Sequence, residues 1–295
     1  MTYNKKISVL VTGANSQLGK TLQEYTHLST FDFHFTDIRT LDINNKRAVN
    51  RVFKANQYDF CFNFAAYTNV NLAERQRQKC YDVNVNAVKN LSKTCLKYNT
   101  KLIHISTDFV FDGNKRTAYY ETDEVFPINY YGQSKYLGEQ VIKNTLRQHY
   151  IIRTSWLYSH YNHNFVTTIL DLAELKKPLK IVADQIGTPT YAVDLIDFIL
   201  QIAIQKKHHY GLYHFSNKGE ASWFDFAKEI IKKAGIDKTV LPIDSLQYKT
   251  LALRPAYSVL SKQKAIETYN IQPRSWQKAL AEYFTTLKTR NNVYY

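Results

Sequence analysis

The sequence predicts an α/β fold, a doubly wound parallel sheet with a smaller C-terminal lobe. Three observations support this prediction: short apolar runs alternate with amphipathic helical patterns, a glycine-rich turn follows the first run, and the alternation loosens in the last third of the chain. Strands that alternate with helices form parallel sheets covered on both faces, and ligands bind beyond the carboxyl ends of the strands. The 295 residues suffice for one large domain or for a domain with an appendage.

The first predicted strand, residues 7–12 (ISVLVT), runs directly into the segment GANSQLG. This segment carries Gly13, Ser16 and Gly19 at a spacing of three, and residues 20–28 have helical character. A buried strand, a tight glycine turn and a helix N-terminus with free N–H groups form the Rossmann-type site for the phosphates of a dinucleotide. The N-terminal part of the chain is therefore predicted to bind a dinucleotide.

The second predicted strand, residues 31–37 (FDFHFTD), alternates in polarity and ends in Asp37. Folds of this class place a group near the adenosine ribose about 20 residues beyond the glycine turn. Asp37 by itself favours NAD, whereas Arg39 would meet the 2′-phosphate of NADP, so the sequence leaves the choice of cofactor open. A helix is predicted over residues 44–56.

A third buried strand is predicted over residues 60–67 (FCFNFAAY), with Ala65 and Ala66 at its end. Small residues there let a cofactor pass close to the backbone, although they would equally let a helix pack. A long helix is predicted over residues 74–98, in which the segment VNVN at 83–86 puts amides among apolar positions.

The strand over residues 101–111 and the helix over residues 130–148 carry the candidate catalytic residues. In this helix Tyr131 and Lys135 stand at i and i+4, one turn apart on one face. A nearby cation lowers a tyrosine pKa and suits the phenol for proton transfer, and the Thr107 hydroxyl would hold a carbonyl oxygen. The pattern predicts a carbonyl-reducing site. The alternative is an exposed pair without a function, because Tyr-x-x-x-Lys is frequent in a chain with 23 tyrosines.

The C-terminal part has a looser pattern. It predicts strands over residues 150–158, 179–183 and 212–216, and helices over residues 165–177, 192–205, 222–234 and 275–288. We place an NAD(P)-binding domain over residues 1–158 and a mainly substrate-binding lobe over residues 159–295, with the chain free to cross back between them.

Composition limits the partners. The formal charge is +14, but the basic residues are dispersed and form no basic-aromatic motif, so neither nucleic acid nor a membrane is a predicted partner. The first ten residues contain no cleavage-like site, which predicts a cytoplasmic protein. Cys61, Cys80 and Cys95 are predicted to be core thiols, and no cluster has metal-ligand spacing, so no metal ligand is named.

Seven motifs occur in order along nearly the whole chain. They are VTGANSQLG, LDI from Leu41, AAYTNVNLAE from Ala65, STDFVFDG from Ser106, YGQSKYLGE from Tyr131, RTSWLY from Arg153 and DQIGTPTY from Asp184. Together they resemble the dTDP-4-dehydrorhamnose reductase family of the extended short-chain dehydrogenase/reductase superfamily. The resemblance implies NADPH-dependent reduction of the C4 carbonyl of dTDP-4-dehydro-L-rhamnose to dTDP-L-rhamnose, a precursor of surface polysaccharide.

The resemblance also implies roles for individual residues. Tyr131 would be the proton donor, Lys135 would bind the nicotinamide ribose and lower the tyrosine pKa, Thr107 would orient the carbonyl, and Asp108 and Trp156 would contact the sugar. Together with the glycine turn, the expected cofactor-binding set is Gly13, Ser16, Gln17, Leu18, Gly19, Asp37, Asp42, Ile43, Ala65, Ala66, Tyr67, Tyr131 and Lys135. NADH stays open as the cofactor, and a divalent metal such as Mg²⁺ and a homodimer are implied by the resemblance alone.

The chain departs from the family pattern at three positions. Ser16 stands where relatives usually have glycine, Phe109 where tyrosine is frequent, and Asn71 where aspartate is frequent. Two alternatives stay open: an epimerase or dehydratase acting on another nucleotide sugar with tightly held NAD, and a non-catalytic regulatory subunit of the same fold. Dehydratases commonly carry an acidic pair beside the threonine, whereas this chain has Asp108 followed by Phe109.

Overall fold

A computed structural model describes residues 6–292, so the prediction about the first ten residues falls partly outside the described chain. The strands are β1 (Ile7–Thr12), β2 (Phe31–Thr36), β3 (Phe60–Asn63), β4 (Lys101–Thr107), β5 (His149–Thr154), β6 (Leu157–Tyr158), β7 (Leu179–Val182), β8 (Ile186–Gly187), β9 (Thr190–Tyr191), β10 (Gly211–His214), β11 (Ala221–Ser222) and β12 (Val240–Ile243). The helices are α1 (Gln17–Gln23), α2 (Lys46–Ala55), α3 (Val70–Ala73), α4 (Arg77–Tyr81), α5 (Ala87–Lys97), α6 (Tyr130–Thr145), α7 (Phe165–Ala173), α8 (Ala192–Ile204), α9 (Trp223–Ala234), α10 (Gln263–Tyr269) and α11 (Trp276–Asn292).

Six parallel strands form the central sheet in the order β2-β1-β3-β4-β5-β10. The chain moves outward from β1 to β2 and then returns to place β3 on the other side of β1. This reversal creates a crevice at the carboxyl ends of the strands, which is where open sheets of this kind bind ligands. The predicted doubly wound α/β fold is confirmed.

Alternating side chains of β1 explain why helices cover both faces of the sheet. Val9 and Val11 belong to the apolar cluster that includes Leu22 of α1 and Ile199 of α8. Leu10 points the other way, into the cluster formed with residues of α2 and α5. A strand buried on both faces reads as a continuous apolar run, as the segment ISVLVT does.

The glycine turn after β1 places α1 three residues earlier than the sequence pattern predicts. Helix α1 begins at Gln17 and ends at Gln23, not over residues 20–28. Ser16 is its N-cap and accepts a hydrogen bond from Gly19 N at 3.0 Å. Gly13 has φ +73°, and a Cβ on Gly19 would lie 2.3 Å from the Gly13 carbonyl oxygen. Only these two positions of the turn need glycine, because Ser16 has an extended backbone conformation with φ −73°.

The predicted long helix over residues 74–98 is interrupted. Helices α4 and α5 replace it, and a five-residue π-helical segment, Asp82–Asn86, joins them. Asn84 lies in this segment and bonds the backbone of Tyr67, which pins the loop after β3. The amides among apolar positions therefore mark the place where the regular α-helix is broken. Single π-helical turns of this kind usually occur as bulges inside α-helices.

The predicted strands end earlier than their apolar runs. Strand β3 ends at Asn63 instead of residue 67, and β4 ends at Thr107, where a 3₁₀ turn over Asp108–Val110 takes over. The predicted strand over residues 150–158 is divided into β5 and β6. These early ends expose side chains at the sheet edge that would otherwise alternate into the two cores.

The C-terminal half contributes both to the central sheet with its covering helices and to a separate apolar cluster. Strand β10 pairs with β5 at the sheet edge and α8 packs on α1, whereas α7, α9 and α11 enclose a separate apolar cluster. The domain boundary at residue 158 stays a prediction. Within residues 6–292, no helix has the length and apolar character needed to cross a bilayer.

Candidate active site

A cavity of about 500 Å³ lies at the carboxyl ends of the strands and extends to the C-terminal lobe. Nine of the residues singled out from the sequence line it: Ser16, Gln17, Leu18, Ala66, Thr107, Asp108, Tyr131, Lys135 and Trp156. These residues come from the start of α1, the ends of three strands and the first turns of α6. The sheet edge brings together segments that are distant in the sequence: Gln17 Nε2 donates to the carbonyl of Leu157, 140 positions further on, at 3.4 Å.

Seven predicted cofactor residues do not line this cavity: Gly13, Gly19, Asp37, Asp42, Ile43, Ala65 and Tyr67. The two glycines shape the turn, and Ile43 is buried in the apolar cluster under α2 and α5. Asp42 is exposed and accepts a hydrogen bond from Asn44 N. Their contact with a cofactor stays a prediction.

Tyr131 lies in the first turn of α6, and the local sequence explains its placement. Asn129 is the N-cap of this helix and accepts a hydrogen bond from Gly132 N at 2.8 Å. A Cβ on Gly132 would lie 2.0 Å from the Phe109 carbonyl oxygen, so glycine lets the helix approach the turn after β4. The Phe109 ring meets the Tyr131 ring edge to face, with centroids 6.0 Å apart. The helix start thereby fixes the phenol beside Thr107.

Burial raises the pKa of the Tyr131 phenol, and the hydrogen bond with Thr107 opposes this effect. The negative charge of Asp108 raises the pKa further. The expectation that Lys135 lowers the tyrosine pKa stays a prediction, because the net direction here is set by burial. Since the phenol keeps its proton at neutral pH, it is suited to act as a proton donor.

Lys135 is buried one turn further along α6, with 2% of its surface exposed. Its ammonium donates to the Ile105 carbonyl at 2.6 Å and lies 3.2 Å from His104 Nε2. Burial lowers the pKa of Lys135 to about 8, and the charge of Glu139 opposes this shift. Lys135 thus presents a buried amine that titrates close to neutral pH.

Thr107 and Asp108 stand where β4 turns into the 3₁₀ segment. Thr107 Oγ1 donates to Asp108 Oδ1 at 3.1 Å and accepts from Phe109 N. Burial raises the pKa of Asp108 to about 6, and the neighbouring Ser258 hydroxyl opposes this effect. Asp108 lines the cavity, where a carboxylate can meet a polar ligand.

Trp156 forms one wall of the cavity, between β5 and β6. Its backbone has φ +47°, which is unfavourable for a bulky side chain. The ring stacks on Trp223 with a centroid distance of 3.4 Å and an interplanar angle of 5°. A Cβ on Gly187 would lie 2.5 Å from the Trp156 ring, so glycine makes room for it.

Three further lining residues, Asn63, Trp223 and Arg254, are not predicted from the sequence. Arg254 lies more than 100 positions beyond Tyr131, in a segment without periodicity, and its Nε atom is buried without a partner among the described residues. No sequence signal links these positions to the sheet edge. The departure at Asn71 lies outside the cavity lining, and its Oδ1 accepts from Ala252 N at 3.3 Å, whereas Phe109 does line the cavity.

The divalent metal implied by the family resemblance finds no ligand set: across residues 6–292, no group of three His, Cys, Asp or Glu side chains could hold a metal ion. Cys61, Cys80 and Cys95 are buried free thiols, in agreement with their prediction as core residues.

Comparison with known proteins identifies the family. The family model described as RmlD substrate binding domain matches residues 7–289. The chain is 39% identical to the spore coat polysaccharide biosynthesis protein SpsK of Bacillus subtilis strain 168, over 93% of this chain and 96% of that protein. It is 38% identical to a dTDP-4-dehydrorhamnose reductase of Aggregatibacter actinomycetemcomitans, over 92% of this chain and 96% of that protein.

A solved structure agrees with these relatives. The crystal structure of dTDP-4-dehydrorhamnose reductase from Bacillus anthracis strain Ames in complex with NADP matches with a TM-score of 0.91 and 38% identity, covering 97% of this chain and 100% of that chain. Since the family model and these relatives extend over nearly the whole length, the chain belongs to the RmlD substrate binding domain family, the family of the dTDP-4-dehydrorhamnose reductases.

Proposed function

We propose that this protein reduces the C4 carbonyl of dTDP-4-dehydro-L-rhamnose to the alcohol of dTDP-L-rhamnose, with NADPH as the reductant. The observation that carries the proposal is the convergence of Thr107, Tyr131 and Lys135 on one cavity with the glycine turn, in a chain of this family. The test is the absorbance of the reduced nicotinamide while the sugar is supplied by the enzymes that make it. Oxidation that requires both the sugar and this protein supports the proposal, and cofactor that stays reduced contradicts it.

The residues present fit a dinucleotide. Gln17 and Leu18 at the start of α1 and the small Ala66 after β3 line the same cavity as Lys135, and the positive φ of Gly13 shapes the turn between them. When bound, NADPH supplies a hydride to C4 of the sugar. Because a cradle for phosphate and ribose adjoins the proposed proton donor, the two reactants can meet there.

Residues of this chain would donate the proton and orient the carbonyl group. Tyr131 would give the proton of its hydroxyl group to the C4 oxygen, which completes the alcohol. Thr107 would orient that oxygen, and Asp108, which lines the cavity, would contact the sugar hydroxyl groups through its carboxylate. The stacked rings of Trp156 and Trp223 would form an apolar wall that excludes water from the reacting atoms.

Arg254 is our candidate for the diphosphate of the nucleotide sugar. It lines the cavity, and burial lowers its pKa, so a bound anion would stabilise its charge. In an Arg254→Gln variant we expect the KM for the nucleotide sugar to rise about 10- to 100-fold with kcat nearly unchanged, the scale of hydrogen bonds to a charged group. Steady-state kinetics measure this, with Arg51→Gln on the exposed face of α2 as the matched control. An unchanged KM would remove Arg254 from the substrate site.

The preference for NADPH is assigned to Arg39, which follows β2 and is exposed. Asp37 is engaged within its own turn, since its carboxylate accepts from Arg39 N at 3.0 Å, Thr40 N at 3.1 Å and Asn15 Nδ2 at 2.5 Å. The N–H of Thr40 holds the pKa of Asp37 below its ordinary value. Arg39 forms no salt bridge within the described chain, so its guanidinium is available to a 2′-phosphate.

An Arg39→Ser variant tests this assignment. We expect kcat/KM with NADPH to fall about tenfold while kcat/KM with NADH is retained, because only NADPH carries the 2′-phosphate. The two cofactors are compared in parallel in the same absorbance assay, with Arg47→Ser on α2 as the control. An equal loss with both cofactors would point to a role of Arg39 in folding of the turn instead.

We further propose a homodimer, a cytoplasmic location and a domain boundary at residue 158. A homodimer and a cytoplasmic location rest on the family resemblance and the sequence, and the domain boundary rests on the pattern of elements. The catalytic and binding roles given above rest on position in the cavity.

A further inference from the structure

One buried series of hydrogen-bonded polar side chains has no role in the proposed mechanism. It crosses three neighbouring strands beneath the cavity and joins Thr12 of β1, Asn63 of β3 and His104 of β4 to Lys135 of α6. Thr12 Oγ1 lies 2.7 Å from Asn63 Oδ1, Asn63 Nδ2 lies 2.9 Å from His104 Nδ1, and His104 Nε2 lies 3.2 Å from Lys135 Nζ. Neighbouring parallel strands hold these side chains in register, since Thr12 pairs with Asn63 and Asn63 with His104.

We propose that His104 is a positioning residue for this reaction: its Nε2 accepts a hydrogen bond from the Lys135 ammonium, and its Nδ1–H donates to Asn63, whose amide turns its oxygen towards the ring in this state. The proposal rests on the proposed function only for the consequences in catalysis. The tautomer itself is a property of the folded chain.

The protonation of His104 decides which of its two ring nitrogens can accept a hydrogen bond. His104 is fully buried, and burial, followed by the charge of Lys135, lowers its pKa well below the ordinary value, so the ring is neutral. A neutral imidazole has one N–H donor and one acceptor nitrogen, whereas an ammonium only donates. Next to a charged Lys135, Nε2 must therefore accept, and the proton must sit on Nδ1.

A proton on Nδ1 requires an acceptor, and Asn63 can supply one. The two ends of a side-chain amide are nearly identical in shape, so either its oxygen or its nitrogen can face His104. With the oxygen towards His104, the Asn63 amide nitrogen donates to Thr12, whose hydroxyl group both donates and accepts. The structure places the nitrogen towards His104; in that orientation the ring carries its proton on Nε2, which suits only an uncharged lysine, so the charged form of Lys135 requires the amide to turn over.

The tautomer of His104, the orientation of the Asn63 amide and the direction of the Thr12 hydroxyl group therefore change together with the charge of Lys135. The charged groups around this amine are few: Glu139 lies on the next turn of α6 and is paired with Arg153 of β5, and Cys80 of α4 is a buried thiol whose pKa is raised by burial. His104 and the Ile105 carbonyl are the hydrogen-bond partners of the ammonium among the described residues. Removal of one of two acceptors should weaken the charged form of Lys135 substantially.

The first test observes the tautomer in the intact protein. Nitrogen NMR with labelled histidine is recorded on the wild-type protein from about pH 6 to about pH 10, a range that brackets the titration of Lys135, and the His104 signal is assigned with His104→Gln. We expect the Nδ1–H tautomer at neutral pH and a change to the Nε2–H tautomer as Lys135 loses its proton. An Nε2–H tautomer at neutral pH overturns the proposal, whether or not the protein reduces any sugar.

The second test measures catalysis. In His104→Leu we expect kcat/KM at neutral pH to fall about 10- to 100-fold and the alkaline limb of its pH profile to move down by about one to two pH units. The direction follows because the charged form of Lys135 is lost as pH rises through its pKa, and loss of an acceptor lowers that pKa. His104→Gln, which keeps an amide oxygen as acceptor, should restore most of the activity and move the limb back.

His149→Gln is the matched control, because His149 is also a buried histidine. It is the first residue of β5 and contacts the Leu146 carbonyl. It should leave the alkaline limb in place, and thermal melts confirm that each variant is folded. A folded His104→Leu with an unchanged limb contradicts the proposal. If His104→Leu does not fold, the tautomer in the wild-type protein decides the question.

Discussion

Replacement of Tyr131 by phenylalanine is expected to lower kcat/KM by about two to four orders of magnitude, the scale that general acid catalysis contributes. The phenol is the proposed proton source, and burial raises its pKa so that the proton is present at neutral pH. Phenylalanine preserves the edge-to-face contact with Phe109, so the cavity should keep its shape. Steady-state kinetics with saturating cofactor measure the effect.

Tyr130 provides the matched control on the same helix turn. Its ring lies under the guanidinium of Arg77, 5.1 Å from ring centroid to Cζ, and it does not line the cavity. Tyr130→Phe should retain activity within about threefold, since it removes no group from the proposed proton transfer. Cofactor binding, followed by fluorescence quenching, should be equal in both variants. A Tyr131→Phe enzyme with the wild-type rate would show that another group delivers the proton.

Loss of either partner of the buried pair formed by Glu139 and Arg153 is expected to lower the free energy of unfolding by about 3 to 5 kcal/mol, because the other charge is left buried without its partner. Arg153 Nη2 lies 2.7 Å from Glu139 Oε2 and Nε lies 2.8 Å from Oε1, and the two side chains are 1% and 0% exposed. Ser106 also donates to Glu139 at 2.6 Å. The pair joins α6 to β5 directly beneath the helix turn that carries Lys135.

A double-mutant cycle in urea measures this effect. Glu139→Leu and Arg153→Leu should each be strongly destabilising, whereas the double variant should be more stable than the sum of the two losses predicts. The exposed pair of Arg77 and Glu74 serves as the control, because Arg77 is 63% exposed and Arg77→Ala should change stability by less than about 1 kcal/mol. Additive losses in the cycle would contradict a direct interaction between the buried charges.

Several features of the site follow from local sequence patterns alone. The spacing of Tyr131 and Lys135 places both on one face of a helix, and an apolar run followed by a glycine turn specifies the strand and the turn at residues 7–19. The apolar run also predicts the strand that leads to Thr107, although this strand ends at Thr107 and not at residue 111. These predictions depend only on periodicity and on the chemistry of neighbouring residues, which are local properties of the chain.

Other features depend on which distant segments meet. Arg254 and Trp223 reach the cavity from the C-terminal half, and no pattern in their own segments indicates the destination. The same applies to His104, whose neighbours in space come from β1, β3 and α6. Strand order in a sheet is set by packing of whole elements, so it is not encoded in any short window of sequence.

Local sequence patterns specify the α/β class, the glycine turn and the helix face that carries Tyr131 and Lys135, because hydrophobic periodicity and turn chemistry act over a few residues. The tertiary structure alone decided the direction of the pKa shifts, since burial of Tyr131, Lys135 and Asp108 depends on what packs over them. It also decided that Trp156 takes a backbone conformation with positive φ against Gly187. This conformation depends on contacts with segments that are distant in the sequence.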